Sequence, residues 1–134
     1  MTSRYIVVGP DSANAATDAA HELATALSAR GTLARIDALA GTTPSAAATS
    51  SASALPAAVE AVRAADADFV LIDGVVAGEA RTFDAIRWNV NLAASARANV
   101  ILVLDPEGVP AELLTEEINV FAARCKSHQA QLVA

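Results

Sequence analysis

The chain has 134 residues, 54% of them apolar and only 18% charged, which suits one domain with a helix-covered sheet and excludes a wholly disordered chain. Its net charge is -6 with a pI near 4.7. Lys and Arg are scattered singly with no basic stripe, which argues against a nucleic-acid partner. A single cysteine, Cys125, excludes an intrachain disulfide and suits a reducing, cytoplasmic setting; no apolar run reaches the ~18 residues of a membrane span, and no signal-peptide core follows Met1.

Apolar runs of strand length alternate with segments of helical period. Tyr5-Ile6-Val7-Val8-Gly9 is a β-branched run ending at Gly-Pro and predicts the first strand. Ala16, Ala20, Leu23, Ala24 and Leu27 share one helical face, and Gly31 is expected to close that helix as a C′ residue. Thr32 to Asp37 reads as a short second strand. Residues 40–54 are almost entirely Gly, Ala, Ser, Thr and Pro and predict a flexible connection. Pro56 is then expected in the first turn of a helix whose buried face is Leu55, Val59 and Val62.

Asp68-Phe69-Val70-Leu71-Ile72-Asp73-Gly74 is the strongest strand signal, and its unbroken apolar run predicts burial on both faces of a parallel sheet. Phe83, Ile86, Val90 and Ala94 mark a third helix. Asn99 to Asp105 repeats the buried-strand pattern. Pro110 opens a fourth helix with Leu114, Ile118, Phe121 and Cys125 on one stripe, Glu112, Glu116 and Glu117 early, and Arg124 and Lys126 late, as the helix dipole favours. Gln131 to Ala134 starts another strand, so the sequence reads as one module of a longer protein. The alternation predicts a three-layer α/β/α fold with a mostly parallel sheet and right-handed crossovers, a single domain over residues 1–134, with ligands expected at the carboxyl ends of its strands.

Residues 9–17 join the first strand to the first helix, where a phosphate loop would lie. Such a loop surrounds phosphate with backbone N–H groups and a helix N-terminus while a lysine reaches its oxygens. Gly9, Asp11 and Thr17 occupy the places of the G-x-D-x-x-x-G-K-T form of the loop, but the second glycine is Ala15 and the lysine is Ala16. Ala15 adds a Cβ where backbone must approach a phosphate, and Ala16 removes a cation and its charge-assisted hydrogen bonds. The predicted rim carries Asp11, Asp37, Asp73 and Asp105 and no lysine. Two unit charges ~4 Å apart repel by several kcal/mol at intermediate dielectric, whereas a helix N-terminus contributes only ~0.3–1 kcal/mol in exposed settings. A triphosphate is therefore expected to be repelled.

In this form the loop resembles the dethiobiotin-synthetase-like P-loop domain, which also forms the N-terminal part of many bacterial phosphate acetyltransferases. Ala34-Arg35-Ile36-Asp37 resembles the family's second strand, with Asp37 where a lysine is usual. Phe69 to Gly74 is similar to the strand ending in an acidic residue and glycine, and Asn89-Val90-Asn91-Leu92-Ala93-Ala94 followed by Val100-Ile101-Leu102-Val103 is similar to the asparagine-bearing helix and its next strand. The resemblance implies a degenerate P-loop NTPase-like fold with a vestigial nucleotide or anion site at Gly9, Asp11, Thr17 and Asp73. Because the acetyltransferase version of the loop is often degenerate, it implies a non-catalytic regulatory or oligomer-stabilising domain of a phosphate acetyltransferase. That parent enzyme interconverts acetyl-CoA plus phosphate with acetyl phosphate plus CoA. The expected partners are the C-terminal catalytic domain of the parent chain and further copies in a homo-oligomer, with no cofactor held here and no nucleic acid or membrane bound. The alternatives are an ATP-dependent enzyme of the dethiobiotin-synthetase type and a free-standing ligand sensor or adaptor.

The remaining polar and reactive residues form no catalytic pattern. His21, His128 and Cys125 lack metal-ligand spacing, and no G-x-S-x-G elbow is present. Ser12 or Asn14 is expected to cap the first helix, and Cys125 to lie in the core. Asp73 reads as a turn cap, with a metal-binding role as the alternative. Asn89 and Asn91 read as structural, with ligand contact as the alternative. Trp88 is out of phase with the Ile86 stripe and reads equally as an exposed docking residue beside Leu92 or as cover for a sheet edge or the 74–82 loop.

Overall fold

The computed structural model describes residues 2–9, 13–40, 51–75, 84–105 and 109–134. In chain order they form β1 (Ser3–Val8), α1 (Ala13–Ser28), β2 (Leu33–Asp37), α2 (Ser51–Ala64), β3 (Phe69–Asp73), α3 (Ala85–Ala96), β4 (Asn99–Leu102), α4 (Ala111–Ser127) and β5 (Gln131–Leu132). The five strands make one sheet in the order β2-β3-β1-β4-β5, and every pairing is parallel. Ile6 sits in register with Ile72 on one side and Val100 on the other. The architecture is the expected three-layer α/β/α fold, with an all-parallel sheet.

Strand order and crossover handedness decide which face each helix covers. The chain moves one way across the sheet from β1 to β2 and the other way in every later crossover, so right-handed connections put α1 alone on one face and α2, α3 and α4 on the other. The two cores follow this division. Val7 and Leu71 pack with Ala20 and Ala24 of α1. Ile6, Val8, Val70, Ile72 and Val100 pack with Ala58, Val62, Val90, Leu92, Phe121 and Cys125 from the other three helices. Val70, Leu71 and Ile72 are fully buried, which is why β3 reads as an unbroken apolar run rather than an alternating one.

Several local expectations are corrected. Helix α2 starts at Ser51, so Pro56 lies inside it and not in its first turn. The Ser, Ala and Leu residues ahead of the proline are competent helix formers, and Pro56 is exposed, where water can serve the carbonyl that its missing N–H leaves unpaired. The flexible connection expected at 40–54 therefore excludes 51–54, and residues 41–50 lie outside the described residues. Gly31 follows α1 by three residues instead of closing it as C′. It lies against Asp68, since a Cβ there would fall 2.6 Å from Asp68 Oδ2 and that side chain would have to shift. That carboxylate accepts the Thr32 N–H at 3.0 Å while Thr32 Oγ1 accepts the Asp68 N–H at 2.8 Å.

The buried face of α3 is also rotated from the expected one, although it keeps Val90. Ala85, Trp88, Asn89, Val90, Leu92, Ala93 and Ala96 are buried, and Ala85, Trp88, Asn89 and Leu92 have the i, i+3, i+4, i+7 spacing of one helical face. Ile86 and Ala94 lie at its margin, half-buried, and Phe83 lies outside the described residues. The helix begins at the Asp84 cap and ends at Arg97 in the left-handed region (φ 55). Trp88 is only 5% exposed, which excludes the exposed-docking reading. Its indole N–H donates to Ala38 O at 2.9 Å, so it covers the end of β2, an edge strand. Trp88→Phe removes the donor and leaves a buried carbonyl unpaired, with an expected loss of about 1–3 kcal/mol. Chemical denaturation followed by circular dichroism measures it.

Candidate functional site

The carboxyl ends of β1, β2 and β3 form the rim where a parallel sheet of this kind binds ligands. Of the four residues expected there, Asp11 lies outside the described residues, as do Ser12 and the Asn14 side chain. Gly9 follows β1 and borders a space of about 10 Å³ among Val8, Val75, Ala85, Asn89 and Phe121, on the side of the sheet covered by α3. Thr17 is exposed in the second turn of α1. It lines an open hollow of about 460 Å³ with Asp18, His21, Glu22 and Arg35. Asp73 is the last residue of β3 and shares a face with Leu71, hence with α1. The structure thus places Thr17 and Asp73 on one side of the sheet and Gly9 beside a separate space. Ala15, Ala16 and Thr17 are all wound into α1, which starts at Ala13.

The expectation of a rim of carboxylates alone is corrected by Arg35. Its Nε donates to Asp73 Oδ2 at 2.8 Å and its Nη2 to Asp73 Oδ1 at 2.9 Å. This is the two-pronged guanidinium–carboxylate geometry that a lysine cannot make. The Asp73 carboxylate raises the Arg35 guanidinium further above its usual range, chiefly through these hydrogen bonds. Parallel register explains the pairing. Arg35 is level with Leu71, and Asp37 is level with Asp73, so Arg35 reaches Asp73 diagonally on the same face. Two carboxylates side by side on adjacent strands are unfavourable. Arg35 offsets one of them, and Asp37 turns to its own backbone, where Oδ1 accepts the Leu39 N–H at 3.1 Å. Both partners of the ion pair are about one-third exposed, so the pair positions side chains more than it stabilises the fold.

On the opposite face, the ends of β1 and β3 are fastened together. Gly74 N–H donates to Val7 O at 2.9 Å. The Asn89 carboxamide, 3% exposed, accepts the Val75 N–H through Oδ1 and donates to Val75 O through Nδ2, both at 2.8 Å. Asn89 therefore completes the backbone of the residue after Gly74, which is the structural role expected for it. A Cβ on Gly74 would lie 2.5 Å from Val7 O, so the expected glycine after the acidic residue is required for the approach of two backbones. Gly74→Ala is expected to cost about 1–3 kcal/mol, measured as a fall in denaturation midpoint with the slope unchanged.

Cys125 is 1% exposed, and burial pushes its thiol above the usual range despite the opposing charge of Arg124, as befits a core residue rather than a nucleophile. Among the described residues no three His, Cys, Asp or Glu side chains are grouped to hold a metal ion. No described helix is long and apolar enough to cross a membrane. In comparisons with known proteins, no family model matches the chain and no curated protein matches it.

Asp84 caps α3 by accepting the Arg87 N–H at 3.0 Å, and its second oxygen accepts from Arg124 Nη2 at 3.2 Å. The Arg87 N–H first, with Arg124 adding to it, holds its carboxyl below the usual 3.8 against a smaller opposing effect of burial. A carboxyl lowered on folding stabilises the fold above its unfolded value and ceases to do so as the pH falls through the folded value. Asp84→Ala is therefore expected to cost about 1 kcal/mol near neutral pH. In denaturant titrations across a pH series, its difference from the parent protein should vanish below the usual carboxyl range.

Proposed function

We propose that the chain is a non-catalytic regulatory or oligomer-stabilising module, the N-terminal domain of a phosphate acetyltransferase whose catalytic machinery lies in a C-terminal domain. The observation that carries the non-catalytic reading is the Arg35–Asp73 pair. The acidic side chain at the end of β3, the group that would hold a metal-bound nucleotide, already accepts two hydrogen bonds from a guanidinium in its own sheet. One further feature supports it: the positions that would be glycine and lysine in a phosphate loop are alanines within helical backbone. The acetyltransferase assignment rests on the resemblance of the loop, of the strand from Phe69 to Gly74 and of the Asn89 helix. A single buried thiol suits the cytoplasmic setting of that role.

Titration calorimetry with Mg-ATP tests the reading. The expected result is no binding below about 1 mM and no difference between the parent chain and Thr17→Ala. Micromolar binding lost in Thr17→Ala would favour the ATP-dependent enzyme instead. In an acetyl phosphate assay with acetyl-CoA and phosphate, the chain alone is expected to show no turnover, and robust turnover would refute the module reading.

A further inference from the structure

Helix α4 carries most of the exposed large apolar side chains among the described residues. Of the four large apolar side chains that stand well exposed, three are on this helix: Leu113, Ile118 and Val120, at 50, 44 and 56%. Leu113 and Val120 are seven residues apart and share a stripe. They line an open groove of about 590 Å³ with Ile86, Phe121, Glu116 and Arg124. Ile118 points about 160° away from Val120 around the helix. A fully solvated helix face would carry charge at 113 and 120, as it does at 112, 116 and 126.

The charge pattern along this stripe says what fits it. Glu116 and Glu117 lie four and three residues before Val120, and Arg124 four residues after it, all on the groove lining, so the acids and the base each stand about 5–6 Å along the axis from Val120. The stripe therefore reads acid, apolar, base. Turned end for end about Val120 it reads base, apolar, acid, so the surface is complementary to itself across a two-fold axis. We propose that α4 pairs antiparallel with α4 of a second copy of this chain. In that pair Val120 packs on Val120, and the acids at 116 and 117 of each copy meet Arg124 of the other. Arg124 spends one N–H on Asp84, and its guanidinium has others to offer a second carboxylate. The antiparallel arrangement also opposes the two helix dipoles favourably.

The inference deepens the reading of the chain as an assembly module by naming the surface that assembles. A seam between two helices of 17 residues falls below the ~1,200 Å² of a stable complex, so the isolated chain forms a weak, concentration-dependent dimer.

Sedimentation equilibrium on the 134-residue chain tests this. The apparent mass rises with concentration from 13.6 kDa toward twice that value, and the association weakens with added salt. Val120→Glu raises the dissociation constant at least tenfold, whereas Ile118→Glu leaves it within twofold. On mild oxidation Val120→Cys gives a covalent dimer and Ile118→Cys does not. A chain that stays monomeric to millimolar concentration, or one weakened equally by Val120→Glu and Ile118→Glu, overturns the seam. A monomer that also fails to bind Mg-ATP overturns the seam while leaving the non-catalytic reading standing. A Val120-dependent dimer that binds Mg-ATP tightly supports the seam and removes that reading.

Discussion

Two consecutive residues of α3 hold the carboxyl end of the sheet together. Trp88 donates to the carbonyl just past β2, and Asn89 completes both backbone groups just past β3. Gly74 in turn bonds to the end of β1. One helix thereby fixes the exits of three parallel strands. Backbone groups at strand ends lose their ladder partners and are costly to bury unpaired, so a side chain that satisfies them determines where the chain can go next. Both side chains are buried, where hydrogen bonds meet little competition from water.

This fastening shapes what the rim can do. Gly9 lies at the point where crossovers switch direction and ligands of such sheets enter. Its neighbours there include Asn89 and Val75, the two partners of the latch. On the other face the acidic end of β3 is occupied by Arg35. A phosphate loop requires open backbone and a mobile cation, and the described rim offers paired backbone and a cation already engaged.

The charged side chains divide the surface by task. Arg35–Asp73 orders the edge of the sheet beside α1, while Asp84–Arg124 joins the start of α3 to the last turn of α4. Between these helices lies the groove with Leu113 and Val120. The buried residues of β1 and β3 form the centre of the sheet, and the exposed apolar side chains of the described residues gather mainly on the last helix.

The element sequence, the parallel sheet and the buried strands were legible because unbroken apolar runs and 3.6-residue periods are consequences of covalent geometry and burial alone. The glycine at position 74 was legible too, since a small residue is needed where two strand ends meet. The partner of Asp73 was not, because Arg35 is 38 residues away and only the register of β2 on β3 brings the two together. The rotated face of α3 was hidden for a related reason: an apolar count gives no weight to Asn89, whose burial is stable only because Val75 supplies both halves of its pairing. Local pattern determined which segments are helices and strands; long-range hydrogen bonding, which no local pattern encodes, decided how they are joined and what their rim can hold.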